Sequence, residues 1–163
     1  MSRNPLALRL LQSLAVIAGS IAMSQAIAAD TLEDLKQRFI GDWVLVSYVQ
    51  FPAQGEPVDM QYIGRLSYDA FGNMSGLGMP LDLPERAAAG NGPVTGGFAY
   101  WGRVSYDPAT QRVIHHVEGS PMIPRWVGQD NIRFYEFIDD LLTLSLRDDN
   151  GRTTATLTWR RLR

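Results

Sequence analysis

The chain has 163 residues, 45% of them hydrophobic and 20% charged, which suits a globular domain with a sizeable core and excludes a disordered, collagenous or coiled-coil chain. Fifteen basic against 17 acidic residues leave a net charge of −2, so there is no field to gather nucleic acid or an anionic membrane. Cysteine is absent, which removes disulfides, thiolate nucleophiles, zinc ribbons, iron–sulfur clusters and lipoprotein anchoring.

Residues 1–28 read as a signal peptide. Arg3 and Arg9 give a positive start, Leu10 to Met23 is apolar apart from a few small or polar residues, and Ala26-Ile27-Ala28 offers small side chains at the cleavage site. The competing reading is an uncleaved anchor, because Leu10 to Ala29 carries no charge over about the length that spans a bilayer. Export without cysteine points to a bacterial periplasm or secretion. Removing 28 residues and two arginines leaves a domain over 29–163 with charge −4, no stable membrane insertion and a single lysine, Lys36.

The domain opens with a short helix over 30–40. It starts at an N-cap candidate with early acids, spaces Leu32, Leu35 and Phe39 helically, and stops at Gly41. The period then switches to two, predicting strands at 43–51, 63–68, 73–79, 98–106, 112–118, 131–137, 141–147 and 152–160. Turn compositions such as Asp69-Ala70-Phe71-Gly72 and Asp148-Asp149-Asn150-Gly151 separate most of them at hairpin length. Eight such strands in a small domain predict an all-β fold, an eight-stranded antiparallel up-and-down β-barrel, because closure removes the sheet edges. Longer connections are expected at 52–62, 80–97 and 119–130, and the second, rich in Pro, Gly and Ala, reads as a mobile lid. Gly72, Gly76, Gly78 and Gly102 within or beside strands suggest bends.

Two sets of motifs carry a family resemblance. Gly41-Asp42-Trp43 after the helix, with Trp159, Arg160 and Arg161 at the end, resembles the lipocalin pattern of a Gly-x-Trp tryptophan closing the barrel under a terminal basic residue. Such a guanidinium stacks on the indole face and caps backbone carbonyls. Further on, Phe98-Ala99-Tyr100-Trp101-Gly102-Arg103, His115-His116-Val117-Glu118-Gly119-Ser120, Pro124-Arg125-Trp126-Val127-Gly128 and Leu157-Thr158-Trp159-Arg160 resemble the lipocalin-like domain family of small bacterial and fungal proteins. The resemblance covers residues 39 to 162 and implies a lipocalin-like eight-stranded barrel.

His115 and His116 are the only histidines, and adjacent strand residues face opposite ways, so one points inward. A five-residue hairpin loop over Asp107–Gln111 would set Arg103 opposite His115, Gly102 opposite His116 and Tyr100 opposite Glu118. The face holding Tyr100, His116 and Glu118 with Phe98, Val104 and Ile114 is the expected interior. The alternative interior holds Trp101, Arg103 and His115. A His-x-Glu pair suits acid–base chemistry, so His115, His116 and Glu118 are the catalytic candidates. Tyr100, Arg103, Ser120, Trp126 and Arg133 are ligand-binding candidates, with Trp126 as either pocket rim or packed plug. Two ligands do not make a metal site and no haem attachment motif is present, so no metal or cofactor is expected. The leading expectation is an exported barrel binding one small, largely apolar or amphipathic molecule in its central cavity. An isomerase, cyclase or hydrolase of a lipid-like or polyketide-like substrate is the alternative, with Arg103 or Arg133 as an electrostatic clamp. A packed barrel acting as a protein-interaction domain is the third; partner proteins are unknown.

Overall fold

The computed structural model describes residues 31–88 and 96–163. The expected signal peptide, and the middle of the expected lid, lie outside these residues. Helix α1 (Leu32–Phe39) is capped by Thr31, whose hydroxyl accepts from the Asp34 amide while the Asp34 carboxylate accepts from the Thr31 backbone. This reciprocal capping box satisfies donors that a helix start otherwise leaves bare. The strands are β1 (Gly41–Gln50), β2 (Val58–Asp59), β3 (Tyr62–Tyr68), β4 (Asn73–Pro80), β5 (Phe98–Asp107), β6 (Arg112–Gly119), β7 (Asp130–Ile138), β8 (Leu141–Arg147) and β9 (Thr153–Arg161). All neighbours pair antiparallel in chain order from β3 to β9, β1 pairs both β3 and β9, and the sheet closes. The result is an eight-stranded barrel, to whose β1 the two-residue β2 adds a short outer pairing. A second short helix, α2 (Leu83–Ala88), occupies part of the connection expected to be a lid.

Alternation along the strands sorts side chains inward and outward. On β6 it is strict: Val113, His115, Val117 and Gly119 are buried, whereas Ile114, His116 and Glu118 are not. On β5 the inward set is Tyr100 and Gly102, with Val104 and Tyr106 packed against the core. The observed pairing sets Asp107 opposite Arg112 and Val104 opposite His115, one residue away from the register expected from the sequence. The loop is shorter by one: Pro108–Thr110 form a 3-10 turn, and Gln111 takes a left-handed conformation (φ 52°) that returns the chain. Asp107 accepts from Thr110 and pairs with Arg112 at 2.8 Å, which brings it into the ladder. The inward prediction for Tyr100 and Val104 holds. That for His116, Glu118 and Ile114 is overturned, and His115 takes the interior instead.

One end of the barrel is closed by aromatic packing. Phe39, fully buried at the end of α1, sits against the rings of Tyr68, Tyr106, Tyr135 and Phe137 at centroid distances of 4.8–5.3 Å. Trp43 packs beside Phe137 and donates its indole N–H to the Phe39 carbonyl at 3.0 Å. Arg161 lies 4.2 Å over the Trp43 ring and donates to the carbonyls of Arg38 and Ile40. Gly41 is required here: at φ +133° a Cβ would lie 2.7 Å from the Arg161 guanidinium. Of the residues proposed for closure, Gly41, Trp43 and Arg161 make the plug, Arg160 points to solvent, and Trp159 turns into the interior.

Candidate interior binding site

Above the plug the barrel holds a polar layer. The His115 ring, with no solvent exposure, is held at both nitrogens: Nε2 lies 2.8 Å from the Tyr68 hydroxyl and Nδ1 lies 2.9 Å from the Tyr100 hydroxyl. A neutral imidazole has one donor and one acceptor, so one tyrosine donates to the ring and the other accepts from it. Burial pushes the His115 pKa well below the ordinary imidazole value, and the charges of Arg133 and His116 add to this. The same burial raises both tyrosines, against the pull of the Arg133 cation. The layer is therefore a neutral Tyr68–His115–Tyr100 chain with a cation beside it.

Next to this layer is a cavity of about 100 Å³. Leu66, Leu144, Leu146 and Leu157 supply aliphatic walls, and Phe98, Trp126 and Trp159 supply aromatic ones. Tyr48, Tyr100 and Arg133 contribute the polar surface. The space exists because two strand positions lack side chains: Gly76 lines it, and at Gly78 a Cβ would come within 2.7 Å of the Phe98 ring. Trp126 arrives from the loop after β6 on a 3-10 turn (Pro124–Trp126) and meets the Tyr100 ring edge-on, centroids 5.4 Å apart. It is pocket wall and partial plug together, which reconciles the two roles expected of it.

The structure brings together only part of the expected site. Tyr100, Trp126 and Arg133 line the cavity, and His115 stands directly behind Tyr100. His116 faces outward, where Nδ1 donates to Asp130 at 2.6 Å and Nε2 meets the Ser105 hydroxyl at 2.8 Å. Glu118 is exposed on that same outer face, so the expected His-x-Glu couple is not assembled at the cavity. Arg103 is exposed and donates to Asn73 at 2.8 Å, so it does not clamp an interior ligand. Ser120 is buried, but its hydroxyl donates to the Ala99 carbonyl and accepts from the Ile123 amide, fixing the loop that delivers Trp126.

Reading the residues alone missed Tyr68, Trp159 and the leucine walls of β8 and β9 as site components. Their signal was present in the alternation of Leu142, Leu144 and Leu146, but which leucines border empty space depends on side-chain volumes across the barrel. Among the described residues two buried donors lack an acceptor, the Trp159 indole N–H and the Asn131 amide.

Residues 94–162 match the family model described as a lipocalin-like domain. No curated protein matches the chain. Among solved structures, the chain is similar to that of an uncharacterized protein from Bacteroides eggerthii DSM 20697, with 13% sequence identity and a TM-score of 0.43, covering 76% of this chain and 99% of that one. The family match runs through Tyr100, His115, Trp126, Arg133 and Trp159, so it spans β5 to β9, the strands that contribute most of the site.

Proposed function

We propose that the protein is an exported binding barrel that holds one small, largely apolar molecule in its interior cavity. The observation that carries this reading is the cavity itself: about 100 Å³ of space walled mainly by leucines and aromatic rings, with few polar groups among them. Protein interiors are otherwise packed with few voids larger than a water, which takes about 30 Å³ in the liquid. A void of this size and apolarity favours a ring-sized or short-chain organic molecule over ordered water, since water needs two to four polar partners. The lipocalin-like barrel supports the same reading. Export rests on the sequence of residues 1–28, and recovery of the mature chain from a periplasmic extract, with its N-terminus at residue 29, is its test.

Binding is tested with benzamide as a neutral ring-sized probe, followed by tryptophan fluorescence and by NMR. Saturable binding that Leu157→Trp abolishes by filling the cavity supports the reading. A protein that binds no such probe, and that carries no small molecule when examined by native mass spectrometry from its source compartment, refutes it.

A further inference from the structure

Arg133 is the one formally charged residue among those lining the cavity, and the lining contains no carboxylate. The side chain comes from the inward face of β7, partly buried, and uses one donor on the carbonyl of its own neighbour Ile132 at 2.8 Å. It stands in none of the ion pairs among the described residues. It lines the cavity together with Tyr100, so the guanidinium-bearing side chain borders the interior space. A guanidinium has five N–H donors and no acceptor. The Ile132 carbonyl leaves most of them unmatched.

The lining is thus cationic at one point and holds no anionic acceptor to balance it. A half-buried guanidinium with no counter-charge, bordering an apolar cavity, is matched by a planar anion that accepts two hydrogen bonds.

Resting on the binding reading above, we infer that the ligand is an organic carboxylate whose apolar body fills the leucine and aromatic walls and whose head is received by Arg133. With about 100 Å³ available, the body is of single-ring size or an aliphatic chain of similar volume. Tyr100, held by His115, orients one side of the head. Arg103, the other arginine considered for this part, is outside the barrel and has no role in it.

The test compares benzoate with benzamide, which share ring and shape and differ in charge, on the full barrel and on the Arg133→Gln, Arg133→Lys and Leu157→Trp variants. Isothermal titration reads affinity, and a thermal melt of each variant confirms folding. The expected result is benzoate binding at least about tenfold tighter than benzamide, as a charge-assisted bidentate contact requires. Arg133→Gln should erase that preference, Arg133→Lys should keep part of it, and Leu157→Trp should remove both probes. Equal affinity for the two probes, benzoate binding unchanged in Arg133→Gln, or benzoate binding that survives Leu157→Trp overturns the carboxylate inference. In the first two of these outcomes the cavity reading stands; loss of both probes from the unaltered protein refutes the two together.

Discussion

Acid should destabilise the barrel through His115, and the size of the effect follows from its surroundings. The ring is fully buried, bonded to two tyrosine hydroxyls and close to the Arg133 cation, so the folded protein keeps it neutral well below the ordinary imidazole range. In the unfolded chain it titrates near about 6.5. The unfolded state therefore binds more protons than the folded one as pH falls, and folding stability drops with it. His115 contributes no pH dependence well above 6.5, and its destabilising effect grows as pH falls below that value. With the native ring still neutral, the loss between pH 7.5 and 5.5 is about 1.4 kcal/mol. Urea unfolding followed by tryptophan fluorescence at pH 7.5, 6.5 and 5.5 measures it, with His115→Gln as the reference protein. The glutamine amide keeps one donor and one acceptor for Tyr68 and Tyr100 but has no charge to gain. Every other ionisable group is present in both proteins, so the difference isolates His115. Asp107, drawn down to about 2 by its hydrogen bonds to Thr110 and Arg112, stays ionised throughout. The stability of the unaltered protein relative to the His115→Gln variant should fall by that amount on acidification; parallel slopes in the two proteins would refute a neutral, buried imidazole.

Arg161→Ala removes the cation over Trp43 and the caps on two carbonyls, and should cost about 2–4 kcal/mol in chemical denaturation, with Arg161→Lys between the two. An Arg160→Ala control, at an exposed position, should change stability by less than about 0.5 kcal/mol. Tyr68→Phe leaves one nitrogen of His115 buried without a partner and should lower stability by about 1–3 kcal/mol, whereas His116→Ala on the outer face should cost less. Gly78→Ala drives a methyl against the Phe98 ring, which lines the cavity; a loss of about 1–3 kcal/mol together with weaker benzamide binding is expected.

Local chemistry in the sequence determined the strand succession, the short helix and the terminal plug. Period-two runs between tight turns leave an antiparallel meander little choice but to close, and the pairing of Trp43 with a terminal arginine follows from what an indole face and a guanidinium offer one another. The choice between Arg160 and Arg161 was already a matter of strand parity. Tertiary structure alone decided the contents of the barrel. Which histidine faces inward turned on a single residue of hairpin length, since a side-chain period of two makes a one-residue slip exchange every inside position for an outside one. Gln111 in its left-handed conformation settled that slip, and nothing in the flanking strands announces it. The cavity is likewise a property of volumes from several strands at once, of Gly76 and Gly78 against Phe98 and Tyr100, and no strand read singly contains it. Arg133 was legible as a ligand-binding candidate. That it faces a cavity without a carboxylate is a statement about every other strand, and only the closed sheet makes it.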